Sequence, residues 1–118
     1  MIQTLSFSVT DPDETAAAGT AACRYELSFS HTIVAVSVCP LEDDAGATMD
    51  IQAGGSDVIT AISCADKDAV TPWESTHVGG TNDPVTVAAN TEVTFDFNSA
   101  AAANVFHVAI QYLAGMAY

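Results

Sequence analysis

Apolar and polar residues alternate along most of this chain with a period of two, the spacing that puts successive side chains on opposite faces of an extended strand. Leu5, Phe7 and Val9 share one side of a first strand, with Thr4, Ser6 and Ser8 opposite. Asp11-Pro12-Asp13 stops it, because proline lacks an amide hydrogen and aspartate favours turns. The small, featureless TAAAGTAA that follows reads as a surface arm or loop, spanning 11–23 with its flanks. Tyr25, Leu27 and Phe29 then alternate with Arg24, Glu26 and Ser28. TIVAVSVC (Thr32–Cys39) is apolar on both sides, which predicts a central strand or one lying beneath another chain.

Pro40 and Glu42-Asp43-Asp44 end that strand. Met49 and Ile51 lead into AGGSD, a glycine hairpin, and Val58–Cys64 returns as its partner. Residues 65–84 break the alternation with a glycine pair, two prolines and Asn82-Asp83, and read as loop. Trp73 lies inside it and is expected to plug the edge of the core. Val85 and Val87 form a short strand; Val93, Phe95 and Phe97 face the core opposite Glu92, Thr94 and Asp96. In the last strand Phe106, Val108, Ile110 and Tyr112 share one face and Val105, His107, Ala109, Gln111 and Leu113 the other.

Eight or nine short strands divided by turns, with no helical period, predict an all-β fold: one antiparallel β-sandwich domain over 1–118. A jelly roll is the preferred topology. An immunoglobulin-like sandwich is second, because the Cys…Trp…Cys spacing of that family is missing.

Charge narrows the function classes. Only Arg24 and Lys67 oppose fifteen acidic residues among 118, a net charge of −13. Phosphate backbones and anionic membranes require clustered cations, so neither nucleic acid nor membrane is an expected partner. The opening MIQTLSFSVTDPDE lacks the basic flank and apolar core of a signal peptide. Cys23, Cys39 and Cys64 follow no metal-ligand spacing and read first as buried thiols in a reducing compartment. Acidic loops at Asp11-Pro12-Asp13-Glu14 and Glu42-Asp43-Asp44 make calcium the one plausible cofactor, although neither follows an EF-hand pattern.

Catalytic patterns do not emerge. His31, His77 and His107 fall on separate elements and read as isolated histidines of polar faces. Glu26, Glu74, Glu92 and Asp96 could be nominated as a carboxylate pair, but nothing selects among them. The chain is not expected to be an enzyme. Apolar side chains near both ends, together with the tryptophan, nominate Ile2, Trp73, Tyr112, Leu113, Met116 and Tyr118 as interface residues.

DIQAGGSDVITA (Asp50–Ala61), GGTNDPVTVAANTEVTFDFN (Gly79–Asn98) and VFHVAIQYLAG (Val105–Gly115) together resemble small jelly-roll structural proteins of tailed bacteriophages. That resemblance implies a virion protein made in the host cytoplasm. It would be a capsid decoration (cement) protein on the outer head surface, contacting the major capsid protein and copies of itself, as a trimer. A tail, fibre or head-spike module is the alternative, with Trp73, Tyr25, Tyr112 and Tyr118 stacking on a host glycan or receptor. A cytosolic enzyme or ligand-binding sandwich using the acidic loops and calcium is the third reading. The resemblance supplies no catalytic residues.

Overall fold

The computed structural model describes residues 1–10, 21–68, 72–98 and 104–115. These form nine strands: β1 (Ile2–Thr10), β2 (Ala21–Glu26), β3 (His31–Pro40), β4 (Thr48–Ala53), β5 (Ser56–Ser63), β6 (Trp73–Glu74), β7 (Val85–Val87), β8 (Glu92–Asn98) and β9 (Val105–Ala114). The one helical element among them is a 3-10 turn over Thr76–Val78. β2 begins at Ala21, so the last three residues of the expected 11–23 arm are strand and the rest lies outside the described residues. That strand also stops at Glu26, short of Leu27 and Phe29.

Two antiparallel sheets result. In the first, β1, β9, β3 and β6 lie side by side, with β7 also pairing to β3; in the second the order is β2, β8, β4, β5. The chain crosses between sheets after β1, β2, β3, β5, β7 and β8. This interleaving of two Greek keys is a jelly roll. The segment 65–84, read as loop, thus contributes one short strand, β6, to the first sheet.

Local chemistry explains the joints. β4 and β5 are linked by Gly54 and Gly55 at φ 59° and 86°. Both residues are in the left-handed region that a two-residue primed turn demands. β5 carries a bulge: Met49 pairs with Ile62 but Ile51 with Ile59, so Thr60 and Ala61 together oppose Asp50. Ala61 sits at φ 57°, and its N–H donates to Asp50 Oδ1 at 2.7 Å.

The core lies between the sheets and is aromatic where they meet. Phe95 and Phe97 from β8, with Phe106 from β9, are fully buried. Phe7 meets Phe95 with ring centroids 5.0 Å apart, and Phe97 meets Phe106 at 4.7 Å, so both pairs join one sheet to the other. Trp73 packs against this cluster from the rim, in register with Val36, as a plug would. β3 is interior to its sheet; its buried run from His31 to Val36 accounts for the two-sided apolarity, while Ser37 and Cys39 remain exposed.

Candidate interaction face

The outward side chains of β1, β9 and β3 stand in transverse rows. Ser8, His107 and Cys39 form the first, Ser6, Ala109 and Ser37 the second, and Thr4, Gln111 and Ala35 the third; Ile2, Leu113 and Thr32 form the last, Ala35 and Thr32 themselves being buried. No carboxylate occurs in any of them; Glu74 of β6, in register with Ala35, borders the third row at the margin of this face. The small second row leaves a shallow trough of about 320 Å³ beside His107 and Cys39. Ser8 Oγ lies 2.8 Å from His107 Nδ1 and fixes that ring across the strand boundary. Cys39 is an exposed thiol, contrary to the expectation of burial; Cys64 is buried and Cys23 half-buried. Burial pushes the Cys23 thiol pKa up, a backbone hydrogen bond at Arg24 partly opposing it.

The opposite sheet is acidic. Its strands carry Glu26, Asp50, Asp57, Glu92 and Asp96, whereas the first sheet has only Glu74, on the two-residue β6. Glu26 faces Glu92 across the β2–β8 ladder, and Arg24 joins Glu92 at 3.2 Å. Asp96 is buried opposite Asp50. The four carboxylates considered for catalysis therefore do not converge: Glu26, Glu92 and Asp96 share a sheet, and Glu74 is on the other.

The nominated interface residues separate in the same way. Ile2 lies opposite Leu113 at one corner of the acid-free face, exposed and half-buried respectively. Tyr112 points the other way. It is buried in the monomer, its hydroxyl donating to Gln3 Oε1 at 3.3 Å. Trp73 is half-buried at the rim, and Met116 and Tyr118 lie outside the described residues. The alternation reading missed the face as a unit because it treated Ser, Thr, Ala and Gln as plain solvated positions. The signal was their lack of charge in a chain this acidic.

Two acidic loops come together. Carboxylate oxygens of Asp43, Asp66 and Asp68 all lie within 4.8 Å of one another. Asp43 also accepts from the Lys67 N–H and Asp66 from the Asp68 N–H. All three residues are exposed, an arrangement common on acidic surfaces without an ion. Neighbouring Asp44 is buried, receiving Asn104 Nδ2 at 3.2 Å. Asp11, Asp13 and Glu14 lie outside the described residues.

Histidine placement departs most from expectation. His77 and His107 are exposed, but His31 is 1% exposed. Its Nε2 is 2.8 Å from the Tyr25 hydroxyl, and the Tyr112 ring meets it edge-on at 5.6 Å. Nδ1 has no partner of ordinary hydrogen-bond geometry. Burial lowers the His31 pKa from 6.5, and the Phe29 backbone only partly offsets this. Burial also raises the Tyr25 phenol, with Tyr112 adding to the rise.

Because folding lowers the His31 pKa, the unfolded chain binds the proton more readily. The neutral ring's contribution is complete above pH 6.5. It declines as pH falls through that value and levels off below the folded pKa. His31→Gln, which keeps a partner for Tyr25, should flatten this part of the profile. Melting temperatures of both proteins measured between neutral and mildly acidic pH check it; parallel profiles would contradict the assignment.

Comparison of the chain with protein-family models, curated proteins and solved structures returns no match.

Proposed function

We propose that this protein is a non-enzymatic assembly module, a capsid decoration protein of a tailed phage, docking through the outer face of β1, β9 and β3 onto the major capsid protein and its own copies. The observation that carries the docking surface is the partition of charge. A molecule with net charge −13 repels another acidic surface, most strongly at low salt, and approach is least opposed where carboxylates are missing. The exposed and half-buried members of these rows, from Ser8, His107 and Cys39 to Ile2 and Leu113, provide such a surface, and the serines, threonine and alanine among them lose little conformational freedom on docking. The molecule's extents of 37 × 27 × 19 Å give a broad side that can accommodate the ~800 Å² per partner of a stable interface. The assignment to phage heads rests on the resemblance of Asp50–Ala61, Gly79–Asn98 and Val105–Gly115.

Cys39 makes the proposal measurable. Purified particles should contain the protein in numbers comparable to capsid subunits. Alkylation of Cys39 should be suppressed in the particle relative to the free protein, and Ala109→Glu should abolish retention while leaving the fold intact. Particles with only a few copies, or bound protein whose Cys39 reacts at the free rate, would overturn the reading.

A further inference from the structure

At the side of the sandwich, the edge of one sheet (β5) meets the edge of the other (β6) around a depression of about 240 Å³, lined by Thr60–Ser63, Pro72, Trp73 and Asn82. We propose that this depression binds the ring of a neutral saccharide, stacked on Trp73. It is a different surface from the acid-free face and serves a different partner.

Three independent features converge there. Trp73 is half-buried: its inner part packs on the core, which fixes the ring, and its remaining surface borders the depression. An indole held in this way offers a rigid, flat, apolar platform with little entropy left to lose. A sugar ring presents a matching face of C–H groups.

The second feature is the β5 bulge. Thr60 and Ala61 bow out of the ladder, and Ala61 is held in the left-handed region by the Asp50 carboxylate. Bulges of this kind re-aim side chains at strand edges. Here the bulge brings Thr60 to the depression that Ser63 also lines, and both hydroxyls can donate and accept.

The third is Asn82. Its Nδ2 donates to the Glu74 carbonyl at 2.9 Å, which leaves Oδ1 as an acceptor. An aromatic platform with hydroxyl and amide groups around it matches a polyol with an apolar face. At about 240 Å³ the space is below the roughly 300–1,000 Å³ that hold drug-sized ligands, and suits a single ring. The net charge of −13 disfavours sialylated or uronic sugars and phosphorylated ligands.

Trp73 is the single tryptophan of the chain, so its fluorescence reports on the site directly. Titration with glucose, galactose, mannose and N-acetylglucosamine into the millimolar range should give a saturable emission change with at least one of them. Sialic acid should bind more weakly. The exposed pair Thr60→Ala and Ser63→Ala should weaken binding about tenfold, the loss expected for two ordinary hydrogen bonds. Ser63→Tyr, which fills the depression without touching the core, should abolish it. Absence of a saturable change with every neutral sugar, or a change that survives Ser63→Tyr, would overturn the proposal. Neither result bears on the particle-docking face.

Discussion

Truncating Phe95 to alanine should remove about 3–5 kcal/mol of folding stability, the usual loss for a large aromatic side chain deleted from a core. Phe95 is 0% exposed at the centre of β8. It meets Phe7 of the other sheet at 5.0 Å and Tyr25 of its own at 5.9 Å. Removing the ring therefore opens a cavity at the contact between layers. Strands on both sides of it are hydrogen-bonded into their sheets and cannot collapse far to fill it. Domains of this size are stable by about 5–15 kcal/mol, so the variant should be marginal or unfolded near physiological temperature. Urea denaturation would show it as a lower midpoint at unchanged slope. A loss under about 1 kcal/mol would mean that Phe95 is not part of the packed contact between sheets.

The second large effect is expected at Gly80. A Cβ there would run into the backbone carbonyl of Glu74, which already accepts hydrogen bonds from the Asn82 backbone N–H at 3.2 Å and side chain at 2.9 Å. Gly80 itself donates to Ser75 O at 2.8 Å, and Ser75 donates to Val34 O at 2.8 Å, fastening the segment to β3. Since the obstacle is main chain, it cannot rotate aside. Gly80→Ala should therefore lose at least the ~1–3 kcal/mol typical of overpacking. It should also detach β6, leaving Trp73 more hydrated: a red-shifted emission together with a lower melting temperature. Unchanged emission and stability would show that Gly80 does not clamp this segment.

These two residues mark how far the sequence could be read. Phe95 was legible, because Val93, Phe95 and Phe97 recur every second position and strand geometry sends all three inward. The same rule placed β1 and β9, while the two-sided apolarity of Thr32–Cys39 marked β3, and together they led to the sandwich. Gly80 was legible only as a loop residue. Its close approach to Glu74 joins positions that no periodicity connects, and β6 pairs through just two residues. His31 escaped for a related reason: it opens β3 as a polar residue, and only the fold brings Tyr25 and Tyr112 over it. The acid-free face needed two kinds of information. Alternation gave the outward positions of each strand, but their union required knowing that β9 lies between β1 and β3.

That position of β9 also governs when the molecule can be completed. Until residues 105–114 leave the ribosome, β1 and β3 have nothing between them, and their outward rows cannot form one surface. Until then the nascent chain must carry unpaired the two edges that β9 will join. Pairings such as Ile2 with Leu113 join positions 111 residues apart, the kind of long-range closure associated with slow folding. The surface proposed for docking is thus assembled only when β9 enters its sheet, so a chain cannot present it before this sandwich is closed.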